Sequence, residues 1–197
     1  GVQVATDAAA DQTGGAAGLN TDLDIQSVSV SEPYSANGAS NLVFTMKVAS
    51  LSALQPNRQW RIFWNSPAAV ATGGIYYVGM NTDNNKAVTF EYGTAVVNVV
   101  GLVIGVPQTT RVGAADPDSN MKADGTIKIV VPTASVGNPK AGDLLGGILG
   151  RTFTITGNTT TRSTTAIDTV FGSSYNGTYK LVGNASCQQA TRPLGLR

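Results

Sequence analysis

The chain has 197 residues, a net charge of +1, one cysteine and no histidine, and only 13% of it is charged against the usual ~25%. Length alone allows one large domain or two small ones. A near-zero net charge gives no bulk attraction to nucleic acid, the lack of His removes His-based triads and most zinc sites, and no apolar run approaches the ~20 residues that span a bilayer.

The chain opens with an acidic, Gly/Ala-rich stretch, "ATDAAADQTGGAAGLNTDLDI" (Ala5 to Ile25). It carries Asp7, Asp11, Asp22 and Asp24, and no Lys or Arg occurs before Lys47. Asp22 and Asp24 form Asp-x-Asp just before a strand, which places both on one face of an extended chain. The small residues between the two pairs let the loop fold back and bring the carboxylates together. Carboxylates gathered without a cation raise one another's pKa and repel. A hard cation resolves this. Calcium takes six to eight oxygens, of the kind that these aspartates, Asn20 and backbone carbonyls supply. Calcium is the cofactor expected here; the alternative is four separately solvated loop aspartates.

Strands follow. "LDIQSVSVSEP" spaces Leu23, Ile25, Val28 and Val30 as an almost regular alternation. "NLVFTMKV" sets Leu42, Phe44, Met46 and Val48 against Val43, Thr45 and Lys47, a half-buried strand. "QWRIFWN" puts Trp60, Ile62 and Trp64 on one face, expected to point into the core, with Arg61 and Phe63 on the other. "GIYYVGM" and "AVTFEYG" flank the polar turn "NTDNNKA", which predicts a hairpin with its tip at Asp83 to Lys86. "TAVVNVVGLVIGV" is apolar without alternation and reads as one buried strand or as two short strands meeting at Gly101.

In "ADPDSNMKADGTI", Asp116, Asp118, Asn120 and Asp124 stand at positions 1, 3, 5 and 9 of an EF-hand-like loop. Met121 then replaces the required Gly and Ile127 the bidentate Glu, so this is no EF-hand. It is a second candidate calcium turn, or an acidic loop leading into the strand "GTIKIVV". "GDLLGGILG" is the best candidate for a helical turn. "RTFTITGNTTTRSTTAIDTV" and "GTYKLVGNASC" complete the strands. The pattern predicts an all-β fold, an antiparallel two-sheet β-sandwich of jelly-roll type with roughly nine to eleven strands and little helix. One domain over residues 1–197 is expected, with an extended N-terminal segment (1–20) and a C-terminal tail (185–197).

Catalytic constellations are not found. Glu32 and Glu91 lack a carboxylate partner in sequence. Serine has no histidine to activate it and no Gly-x-Ser-x-Gly elbow, and Cys187 lacks a base as well. "GDLLGGILGR" lacks the Lys-Ser/Thr ending of a phosphate loop. Cys187 reads as a buried or inert thiol. Asn158, Asn176 and Asn184 fall in Asn-x-Ser/Thr patterns, which matter only in a glycosylating host. The ligand-binding alternative is a patch of Arg58, Arg61, Asn65 and one of Tyr76 and Tyr77, which point to opposite faces of their strand.

Charge is unevenly placed. Residues 1–46 hold five acids and no base, while residues 125–197 hold seven bases and two acids. The two ends either neutralise each other in the fold or attract a neighbouring copy.

The segments "TDLDIQSVSVSEP" and "NLVFTMKV", preceded by Asp7 and Asp11, resemble the opening of secreted bacterial β-sandwich modules of the DOMON and family-9 carbohydrate-binding type. The resemblance covers roughly residues 7–93. It implies a non-catalytic extracellular or cell-surface module in which early acids help bind structural calcium. The family pattern commonly has Gly before the second Asp, where this chain has Ala10. Two functions are expected from these features. One is a calcium-stabilised structural protein that assembles with copies of itself into a surface structure or filament, by exchange of a terminal strand. The other is a carbohydrate-binding module whose partners are glycans. A start at Gly1 without Met fits a removed signal peptide, though a boundary cut elsewhere looks the same.

Overall fold

Side-chain alternation with a period of two dominates this chain, and the resulting structure is almost entirely strand. The computed structural model describes residues 1–11, 20–36, 40–67, 75–96, 99–100, 103–104, 107–156, 163–171 and 177–183. Residues 12–19 of the acidic stretch, Asn158, Asn176, Asn184, Cys187 and the tail 185–197 lie outside the described residues.

The strands are β1 (Val2–Thr6), β2 (Ile25–Ser31), β3 (Asn41–Val48), β4 (Arg58–Asn65), β5 (Ile75–Thr82), β6 (Val88–Val96), β7 (Val99–Val100), β8 (Val103–Ile104), β9 (Gln108–Ala114), β10 (Asn120–Met121), β11 (Thr126–Pro132), β12 (Leu144–Thr156), β13 (Ser163–Phe171) and β14 (Tyr179–Lys180). A five-stranded sheet runs β1-β2-β3-β11-β10. A seven-stranded sheet runs β13-β12-β4-β5-β6-β9, with β14 on β12. Among the described residues, the two-residue strands β7, β8, β10 and β14 account for the excess over the roughly nine to eleven expected. The apolar run 94–106 contains the end of β6 and the short strands β7 and β8, which pair with each other antiparallel; Gly101, where two strands were expected to meet, lies outside the described residues.

The sheets pack face to face through the residues that alternation selected. Leu42, Phe44 and Val48 of β3 are fully buried and Met46 is nearly so. Opposite them lie Trp60, Ile62 and Trp64 of β4, and the Phe44 and Trp64 rings stack with centroids 4.3 Å apart. Each such side chain contributes about 1.5–3 kcal/mol by leaving water. The irregular spacing in β2 has a local cause. A register shift between Ile25 and Ser27 inserts an extra residue, so Ile25 and Val28 both point inward. The hairpin forms where expected. Its tip closes with Lys86 N–H on the Asp83 carbonyl, and the Asp83 carboxylate accepts from Asn85 and Ala87 N–H.

One expected element is corrected. "GDLLGGILG" is the start of β12 and not a helical turn. A bulge against β4 falls between Gly146 and Leu149, and Gly147 has a φ of 57°. The bulge lets Leu145 and Ile148, three residues apart, both reach the core, which imitates helical spacing. A 3-10 turn does form at Thr133–Val136, closed by Gly137 at φ 82°.

Candidate functional site

The described parts of the acidic stretch lie where β1, β2 and β13 meet. Asp7 follows β1 directly, and its N–H donates to the Gln26 carbonyl. Asp168 arrives from β13 in the other sheet. It is 7% exposed, and its carboxylate accepts from Ile25 N–H and Thr169 N–H, both at 2.7 Å. One carboxylate oxygen from each of Asp7, Asp11 and Asp168 lies within 4.8 Å of the others. Asp24 is close by: its Oδ1 accepts from Ala10 N–H at 3.0 Å.

Electrostatics here are strained. Burial first, then the charges of Asp168 and Asp11, push the Asp7 carboxyl up to about 6. Burial raises Asp24 and Asp168 too, with Asp11 adding to both. Asp7 Oδ1 accepts from Ala8 N–H, but Oδ2 is buried without a hydrogen-bond partner. None of the four described ion pairs reaches Asp7, Asp11, Asp24 or Asp168.

Of the four early aspartates, Asp22 goes elsewhere. Its carboxylate is 3.6 Å from Arg58 Nε, and its backbone carbonyl accepts from Trp60 Nε1. Burial raises its pKa and Arg58 opposes that rise. Asp168 takes its place in the group. The sequence signal for Asp168 was a charge in the apolar strand "AIDTVF", at a position facing the core.

The second acidic segment is built differently. Asp116, Asp118 and Asp124 do not form a convergent group of this kind. The Asp116 carboxylate accepts from Asp118 N–H, and Asn120 Nδ2 donates to the Asp118 carbonyl. Asp124 accepts from Thr126 N–H and pairs with Lys47, both of which hold its pKa down. These are turn-forming roles.

The residues of the ligand-binding alternative divide between two faces. Arg58 and Tyr76 lie on the inner side, Arg58 with Asp22 and Tyr76 with its ring 6.0 Å from that of Trp64. Arg61 and Tyr77 lie on the outer face of the seven-stranded sheet, and Tyr77 is only 1% exposed. Asn65 is exposed at the end of β4. On the outer face, Arg61 Nη1 is 3.0 Å from Glu91 and Arg111 Nε is 3.4 Å from it. Tyr77 Oη donates to Glu91 at 2.9 Å, with the Arg61 guanidinium 4.7 Å from its ring centre. Burial, and then the Glu91 charge against opposing Arg61, raises the Tyr77 phenol. Gly79 makes room for this group, since a Cβ there would meet Arg61 Nη1 at 2.1 Å.

No family model, curated protein or solved structure matches the chain. Its function rests on the geometry of these groups.

Proposed function

We propose that this chain is a non-catalytic structural β-sandwich, fastened by a calcium ion at Asp7, Asp11 and Asp168, that assembles with copies of itself through β1 outside the cell. The observation that carries the reading is the convergence of three carboxylates from two sheets, with Asp7 Oδ2 buried and unpartnered. Two oxygens on opposite sides of a calcium ion are separated by about twice ~2.4 Å, so oxygens within 4.8 Å of one another suit a single ion. The donors are all hard oxygens, which favours calcium over softer-ligand metals. Such an ion neutralises repulsion that nothing else described offsets, and it ties β1 and β2 to β13 across the sandwich.

The assembly part of the proposal is supported by the position of β1. Among the described residues it is the outermost strand of its sheet, paired only with β2, and Val2 is 56% exposed. An unpaired strand edge is a template for another chain.

The test has two arms. Calcium should raise the melting temperature of chelator-treated protein, by the equivalent of ~2.7 kcal/mol at a hundredfold excess over Kd, and Asp7→Asn should lose most of that rise. An unchanged midpoint in wild type across calcium concentrations removes the ion. Light scattering and electron microscopy should show assembly that Val2→Lys abolishes, because a charge on an edge strand blocks pairing. Protein that stays monomeric at all concentrations removes the assembly arm.

A further inference from the structure

Strand β9 stands apart from the rest of the fold. Among the described residues, every other strand of five or more residues buries at least one side chain, and β9 buries none. It pairs with β6 alone, at the end of the seven-stranded sheet opposite β13. Pairing with one neighbour and no apolar face in contact is a marginal arrangement in water.

The sequence of β9 leaves its edge open. "QTTRVGA" carries β-branched Thr109, Thr110 and Val112, and neither proline nor lysine, two residues that blunt an edge. Its single charge, Arg111, pairs with Glu91 of β6. Register against β6 is regular from Gln108 to Arg111, and Val112 is the extra residue of a bulge, 59% exposed. Val96, opposite Gln108, is exposed as well. A row of edge backbone groups bordered by exposed valines is a template for one more strand.

The other edges suit an incoming β1 less well. Strands β10 and β14 are two residues long. Strand β13 carries the buried acid Asp168, an inward-pointing charge of the kind that protects an edge. Joining β1 to β1 brings two acidic ends together, since residues 1–46 hold five acids and no base. The β9 side has the opposite sign. Arg61 and Arg111 share the one acid Glu91, which leaves that group with one positive charge, whereas Asp7 follows β1 directly.

We infer that the β9 edge receives β1 of a second copy, so that the five-stranded sheet of one copy continues into the seven-stranded sheet of the next. This rests on the assembly reading above and names its acceptor. Donor and acceptor are different surfaces, so the interface is heterologous. Each copy gives β1 to one neighbour and takes β1 from another, and growth runs in one direction.

The experiment is sedimentation velocity on whole chains: wild type, Val2→Lys, Val112→Glu, and the two variants mixed in equal amounts. Val2→Lys spoils β1 and keeps β9. Val112→Glu keeps β1 and puts an acid on β9, which blocks pairing and repels the acidic donor. Wild type should assemble. Each variant alone should stay monomeric at about tenfold or more above the concentration at which wild type assembles. The mixture should form a dimer and stop there, because both remaining edges are spoiled. Circular dichroism checks that the variants fold, and Thr110→Glu, on the regular part of β9, replaces Val112→Glu if that variant does not. A folded β9 variant that assembles like wild type overturns the β9 acceptor and leaves assembly through β1 standing. A mixture that stays monomeric overturns the head-to-tail arrangement. Wild-type protein that is monomeric at every concentration removes the assembly reading and this inference with it.

Discussion

The Asp7 carboxyl titrates near pH 6, against 3.8 in an unfolded chain, so the repulsion around it depends on pH. Its folded pKa is the higher one, and the native state holds the proton more tightly. The stability it contributes is fully present below about pH 4 and lost as pH rises through about 6. Asp22, Asp24 and Asp168, all raised by burial, act in the same direction. In chelator, scanning calorimetry should therefore show the melting temperature falling between about pH 4 and pH 6.5, with a shallower fall in Asp7→Asn. Saturating calcium should reverse the wild-type fall; a profile that rises over this window contradicts the assignment. Glu91 is a residue-scale case of the opposite kind, a partnered charge. Glu91→Ala leaves Arg61 buried beside Tyr77 without its acid and should cost about 3–5 kcal/mol in urea denaturation. Tyr77→Phe removes one buried hydrogen bond to the same carboxylate and should cost only about 1–1.5 kcal/mol.

Among the elements, β12 is the most constrained, because it pairs with β13, β4 and β14. A Cβ on Gly150 would stand 2.7 Å from Val170 Cγ1 and 2.9 Å from Val28 Cγ2, so the two sheets touch there. Gly150→Ala should cost about 1–3 kcal/mol by overpacking, read as a lower melting temperature with an unchanged circular-dichroism spectrum. A different device holds residues 181–183. The two Glu32 oxygens accept from Val182 and Gly183 N–H, each at 2.8 Å. Glu32→Ala should speed hydrogen exchange at those two amides selectively, leaving β3 and β4 protected. These elements also separate what the sequence made legible from what it hid. β3, β4 and the β5–β6 hairpin were readable because each face stays uniform along the strand. β12 was not, because its bulge shifts the inward face by one residue and paired glycines obscure the period. The acidic corner was half readable: Asp7 and Asp11 were found from local crowding, but Asp22 was drawn to Arg58, which no local spacing reveals. Asp168 was missed because its partners belong to the other end of the chain.

For the whole molecule, the charge asymmetry between the two ends gains a specific meaning. Among the described residues, none of the four ion pairs joins residues 1–46 to residues 125–197. If those charges draw copies together, sedimentation at ~0.02 M salt should show larger assemblies than at ~1 M, where the screening length shrinks to about 3 Å. Edge pairing through β1 uses backbone hydrogen bonds and should persist at high salt, so a residual assembly there isolates its share. The contact between Asp168 and Ile25 also bears on how the protein reaches its native state. It joins positions 143 residues apart, and such closures form late and slow a chain's search. The acidic corner can then assemble only after both sheets are in place. A cation bound there should leave the folding rate nearly unchanged and lengthen the lifetime of the finished fold, acting as a kinetic lock against unfolding.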